Sequence, residues 1–119
     1  MRALVIDNDD AMRRFLLRLP DREGWKGIAA ANDKEAFAAF RVGRFNVAII
    51  DVDLGTGLDG IELAKLLLAL DTRLPIVMIS GDPLNAVRVK NAGLEHFSRR
   101  RSRTSLSGQR ERFCHFDEQ

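Results

Sequence analysis

The sequence predicts an α/β domain, a (βα)4β chain wound around an open parallel sheet, and three observations predict it. Short apolar runs alternate with segments of helical period, the pattern of successive βα units. Two of those runs, Val47–Ile50 and Ile76–Ile79, are apolar at every position, as strands covered on both faces require. The runs end in residues with chemistry to offer: Asp7, Asp51 and Ser80. At 119 residues one domain buries roughly two-thirds of the surface its unfolded chain exposes. A hydrophobic content of 45% against 30% charged is that of a folded chain and argues against disorder over most of its length.

Leu4–Ile6 is the first strand. Met12, Phe15, Leu16 and Leu19 follow at helical spacing, and Pro20 is expected to end or kink that helix. Trp25, packed at the end of that helix, opens a second strand running to Ala31. Asp33 then reads as the N-cap of a helix burying Ala36, Phe37 and Phe40, with Gly43 just past its end. Val47–Ile50 is the third strand, and Asp59-Gly60 leads into a helix with Leu63, Leu66, Leu67 and Leu70 on one face, closed before Pro75. Ile76–Ile79 is the fourth strand. Asp82-Pro83 reads as an N-cap followed by proline at the first helical position, and Gly93 fits the C′ site of that short helix. Glu95–Ser98 is a fifth strand. Beyond it no period survives, because Leu106, Phe113 and Phe116 share no face.

The chain therefore divides into a folded part, 1–98, and a basic tail, 99–119, in which little order is expected. The net charge of +2 divides the same way. Residues 1–97 carry 13 Lys and Arg against 14 Asp and Glu, so the basic excess lies in the tail and nucleic acid is not an expected partner. The N-terminus reaches Asp7 before a signal-peptide core can form, and no apolar run is long enough to cross a bilayer, so a cytoplasmic location is expected. Cys114 is the single cysteine, which excludes an intrachain disulfide. His96 and His115 lack partners at metal spacing, and a structural or surface role is expected for both.

In an open parallel sheet the ligand site lies beyond the carboxyl ends of the strands, where strand order reverses. Those ends carry Asp7-Asn8-Asp9-Asp10, Asp51-Val52-Asp53, Ser80-Gly81-Asp82 and Arg99-Arg100-Arg101. Oxygen-rich clusters suit Mg2+, which takes one or two carboxylates with waters and phosphate oxygens. A carboxylate beside the metal can act as a nucleophile toward phosphorus, while a hydroxyl and a cation bind the other phosphoryl oxygens. Asp10, Asp59 and Asp82 also fit N-cap positions and are expected to be structural.

The stretches ALVIDNDDAMRR, AIIDVDL, LDGIELAKLL, PIVMISG and NAGLEHF together resemble the receiver domain of bacterial two-component response regulators, a CheY-like domain, over residues 2–98. The resemblance implies a flavodoxin-like sheet of order 2-1-3-4-5. It implies that Asp51 accepts a phosphoryl group from a sensor histidine kinase or phosphotransfer protein, with Mg2+ as cofactor. Asp7, Asn8, Asp51 and the backbone of Asp53 would hold the metal. Ser80 falls at the family's hydroxyl, Gly81 leaves the phosphate accessible, Phe97 falls at the switch aromatic and Arg100 at the family's lysine. A downstream protein partner is implied, and a homodimer is among the assemblies the resemblance allows.

The sequence departs from the family pattern in four places. Asn8 replaces a ligand acid, which lowers the expected metal affinity unless Asp9 moves in, and Arg100 replaces the lysine, which guanidinium does not match in shape. The loop after Asp51 carries Gly55-Thr56-Gly57 where proline is common and is one residue longer, and the fifth helix is missing or disrupted. The abrupt loss of period after Ser98 reads as a frame shift or truncation. Two alternatives stand beside the phosphoacceptor. One is a pseudo-receiver, an interaction module independent of phosphorylation, which Asn8, Arg100 and the lost helix favour. The other is a phosphatase, because IIDVDLG resembles the first motif of haloacid dehalogenase-type enzymes, although Gly55 stands where their threonine does.

Overall fold

A computed structural model describes residues 1–94 in full and the backbone of 97–99. The elements run β1 (Arg2–Ile6), α1 (Asp10–Arg22), β2 (Lys26–Ala30), α2 (Asp33–Ala39), β3 (Val47–Asp51), α3 (Gly60–Leu70), β4 (Ile76–Ser80), α4 (Asn85–Asn91) and β5 (Phe97–Arg99). They form one parallel sheet of order β2-β1-β3-β4-β5, the flavodoxin-like order. The expected fifth helix, the tail, His96, Arg100, Cys114 and His115 lie outside the described residues, as does the Phe97 side chain.

Strand side chains alternate between two faces, and each face has its own core. Leu4, Ile6, Ala48, Ile50, Ile76 and Met78 pack on one side with Ala36, Phe40, Ile61, Ala64, Leu67 and Val89, from α2, α3, α4 and the end of α2. Val5, Ile49, Val77 and Ile79 pack on the other side with Leu16 and Leu19 of α1. Covering on both sides is why β3 and β4 read as unbroken apolar runs.

Several sequence expectations shift in detail. Pro20 does not end α1, which continues to Arg22. Its carbonyl accepts from the backbone amides of Glu23 and Trp25, and its buried ring faces Gly27 on β2, where a Cβ would lie 3.4 Å from Pro20 Cγ. The N-cap of α1 is Asp9 in place of Asp10, its carboxylate accepting from the amides of Ala11 and Met12. Asn32, not Asp33, caps α2 by accepting from the Glu35 amide, while the Glu35 carboxylate accepts from Ala31. Phe37 is exposed. On α3 the buried face is Ile61, Leu63, Ala64 and Leu67, leaving Leu66 and Leu70 in solvent. Asp59 caps α3 as expected, accepting from the Glu62 amide at 2.9 Å. Asp82 accepts from the Leu84 amide at 2.9 Å, but the turn it closes precedes α4, whose first helical residue is Asn85. Gly93 follows the α4 C-cap with φ of 80°, the left-handed conformation that glycine adopts without a Cβ penalty.

Candidate functional site

The three central strands end side by side, and their last or next polar residues are the buried polar groups of the sheet. Asp7 and Ser80 are wholly buried and Asp51 is 1% exposed. Ile6 pairs with Ile50 and Asp51 with Ile79, so Asp7 stands on one side of Asp51 and Ser80 on the other. Each chain leaves its strand by the same local device, a side-chain oxygen accepting from the amide two residues on. Asp7 Oδ1 accepts from Asp9 at 2.8 Å, Asp51 Oδ1 from Asp53 at 3.2 Å, and Ser80 Oγ from Asp82 at 3.0 Å. The bonds tie all three side chains to the loops that follow the strands.

Around this trio the loops approach closely. A Cβ on Gly60 would lie 1.9 Å from the Asp51 carbonyl oxygen, so the start of α3 rests on the backbone of Asp51 and only glycine fits there. The Gly60 amide donates to the Val52 carbonyl at 2.8 Å. Gly55 and Gly57 have φ of 85° and 72°, and between them the loop turns back so that Leu58 donates to Asp33 Oδ2 at 3.2 Å. A Cβ on Gly55 would meet Asn8 Nδ2 at 3.0 Å, so the exposed Asn8 amide lies against this loop. The Asp9 carboxylate is committed to capping α1 and does not take the place of the missing acid.

Arg13 donates to the Asp7 carbonyl at 2.7 Å and to Asp10 Oδ1 at 2.6 Å, placing a guanidinium at the rim of the acidic crevice. Arg14 also binds Asp10, and this ion pair holds the Asp10 carboxyl below the ordinary value of 3.8. Asp10 is therefore occupied outside the crevice. Among the described residues a Cβ at Gly81 would meet no atom within 4 Å, so none of them fills the space beside Gly81.

One residue that the sequence did not single out joins the group. Asn85, 6% exposed at the first position of α4, donates from Nδ2 to Ser80 Oγ at 2.7 Å and to Asp53 Oδ2 at 3.3 Å. Asp53 thus contributes a held carboxylate as well as its backbone. An asparagine early in a helix ordinarily reads as a turn or cap residue, and only the fold reveals its reach to the end of β4. Arg88, one turn on, donates to Asn85 Oδ1 at 3.1 Å and to Asp59 Oδ2 at 2.8 Å, tying α4 to the cap of α3.

The donors offered to a cation are all oxygens. Among the described residues no three His, Cys, Asp or Glu side chains gather as a metal site. Two buried carboxylates on neighbouring strands, with a neutral Asn8 amide and the Asp53 carbonyl in sequence beside them, fit Mg2+, which takes one or two carboxylates and completes its shell with water. They fit less well the six to eight oxygens typical of Ca2+. Among the described residues no helix is long and apolar enough to cross a membrane.

A doubly wound sheet of this order, with two acids and a hydroxyl at its switch point, defines a receiver-type domain. Residues 3–99 match the response regulator receiver domain, and the chain belongs to that family, the receivers of two-component signalling. It is 35% identical over 81 residues to the regulatory protein VirG of Rhizobium rhizogenes, a stretch covering 68% of this chain and 33% of that protein. Over 78 residues it is 40% identical to the transcriptional regulatory protein FixJ of Bradyrhizobium diazoefficiens, covering 65% of this chain and 37% of that one. The chain thus spans about a third of the length of these curated relatives. In fold it is similar to the response regulator TrrA of Thermotoga maritima, solved in complex with Mg2+-BeF, at a TM-score of 0.81, 19% identity and 97% coverage of each chain.

Proposed function

We propose that this receiver accepts a phosphoryl group on Asp51 from a phosphohistidine of a sensor histidine kinase or phosphotransfer protein. The observation that carries the reading is the burial of the Asp51 carboxylate at the end of the central strand, between Asp7 and Ser80. A carboxylate oxygen of Asp51 attacks phosphorus, the phosphorus–nitrogen bond breaks, and the imidazole leaves with its electron pair and takes a proton. Ser80 donates to a phosphoryl oxygen, and the open space at Gly81 admits the donor. Phe97 and Arg100 take the family's switch and cation positions in this reading. The side chains of Asp7, Asn8 and Asp51 and the carbonyl of Asp53 would hold Mg2+. When bound, the metal neutralises charge that otherwise repels the phosphoryl group from two carboxylates.

Phosphorylation would alter the surface near α4, which a downstream protein reads, and a homodimer is one form that readout takes. Activity of its own is confined to self-phosphorylation from small phosphodonors and self-dephosphorylation, at a cytoplasmic location. The family assignment accounts for Asp51-Val52-Asp53 without a haloacid dehalogenase-type mechanism. Intact-mass measurement after addition of Mg2+ and acetyl phosphate is the test. One phosphoryl group should appear on the wild type and none on Asp51→Asn. An unmodified wild type, or an adduct that survives the substitution, refutes the reading.

The neutral Asn8 amide lying against Gly55 favours a second reading, an interaction module that works without phosphorylation. Calorimetric titration separates the two, because tight Mg2+ binding belongs to the phosphoacceptor alone.

A further inference from the structure

Ser80 Oγ has one proton to donate and two lone pairs that accept. Both acceptor positions are filled, one by Asn85 Nδ2 at 2.7 Å and the other by the Asp82 amide at 3.0 Å. The hydroxyl proton is therefore left with a single role, donation in the remaining direction. We infer that Asn85 is a positioning residue that commits the Ser80 hydroxyl to donating, so that the pocket presents an oriented O–H to an anion seated at Asp51. This inference rests on the phosphoacceptor reading of Asp51 and names a residue through which that site is arranged.

The orientation of the Asn85 amide is itself determined by its neighbours. Arg88, a donor only, binds Oδ1 at 3.1 Å, which leaves Nδ2 facing Ser80 and the Asp53 carboxylate. Arg88 is held in turn by Asp59 at 2.8 Å. Both N–H groups of this buried amide are used, one toward Ser80 and the other toward Asp53, and its carbonyl oxygen accepts from Arg88. A buried amide so engaged cannot turn over without leaving several groups unpaired. The lone pairs of Ser80 are thus occupied by donors that do not rotate, whereas in water the hydroxyl would sample every orientation. An exposed serine capping a helix would have no such constraint.

Beryllofluoride, a mimic of the phosphoryl group, is titrated with Mg2+ into the full chain as wild type, Asn85→Asp, Ser80→Ala and the double variant, followed by fluorine NMR. Asn85→Asp keeps the shape but substitutes an acceptor that draws the Ser80 proton to itself. Its affinity for beryllofluoride should fall about tenfold, Ser80→Ala should lose a similar amount, and the double variant no more than the weaker single one. Asn85→Leu, close in shape and without a donor, carries the same comparison where the aspartate variant does not fold. Losses that add across the cycle, or a folded Asn85 variant with unchanged affinity, overturn the assignment. A second readout needs no anion: the side-chain amide of Asn85 in proton–nitrogen spectra should shift and exchange faster with solvent in Ser80→Ala. An amide indifferent to that change also overturns it. A wild type that takes up no beryllofluoride refutes the phosphoacceptor reading instead, and the amide spectra then decide the role of Asn85 alone.

Discussion

Asn8 is the residue at which this pocket differs most from the acid-rich arrangement its family resemblance implies. A neutral amide can give one oxygen to a cation but no charge, and in the partly buried crevice a missing charge a few ångströms from a divalent ion is costly. Asn8→Asp should therefore raise Mg2+ affinity by about tenfold or more, measured by calorimetry. An unchanged affinity would show that Asn8 does not face the ion. Asp7, Asp51 and Ser80 were legible in the sequence because each directly follows or ends an apolar run, where a strand stops and a buried polar residue needs a reason. Asn85 was not legible, because its partners lie at the ends of two strands and the contact depends on the entry angle of α4. The capping assignments at Asp10 and Asp33 each missed by one position for a simpler reason: adjacent Asp and Asn residues have nearly equal capping preference, and only the backbone conformation chooses between them.

Elements whose environment is symmetrical were read most easily. β3 and β4 are covered on both faces, so every position before the terminal Asp51 and Ser80 is apolar and no period needs to be found. α3 misled because leucine recurs at 63, 66, 67, 68 and 70, and more than one stripe fits such a run; Ile61 and Ala64 select the stripe that packs. Pro20 misled because a proline near a helix end forfeits little, and its ring gains contact with β2 through the gap at Gly27. Among the described glycines, Gly60 at the junction between α3 and β3 leaves the least room for a side chain. Gly60→Ala brings a methyl group into the Asp51 carbonyl, and relief requires moving either the helix start or the end of β3. A loss of about 3 kcal/mol is expected in urea unfolding, together with lower phosphorylation of the folded fraction. An alanine variant with wild-type stability and labelling would mean that α3 can withdraw from Asp51 at no cost.

Across the whole molecule the sheet divides the apolar interior into two cores, and the polar crevice lies at the end where strand order reverses. That position was legible from topology alone once five strand signals were recognised, since β1 and β3 are neighbours whose connections leave toward opposite faces. The helices around the crevice are not equally secured. α1 and α3 begin with carboxylate caps, whereas α4 is seven residues long, has Leu84 as an N-cap with no side-chain hydrogen bond, and buries only Asn85 and Val89 while Leu84 and Val87 stand in solvent. So short a helix is marginal without tertiary support, and among the described residues that support includes the buried Asn85 and Val89 and the Arg88 link to Asp59. In hydrogen–deuterium exchange the amides of α4 should therefore open well before those of β3 and β4, by a local excursion that leaves the rest of the domain closed. Protection of α4 equal to that of the central strands would contradict this. The consequence is energetic: on the proposed reading, a phosphoryl group on Asp51 would have to redirect only one seven-residue segment, and the free energy required would be set by the few contacts that hold α4 and not by the stability of the protein.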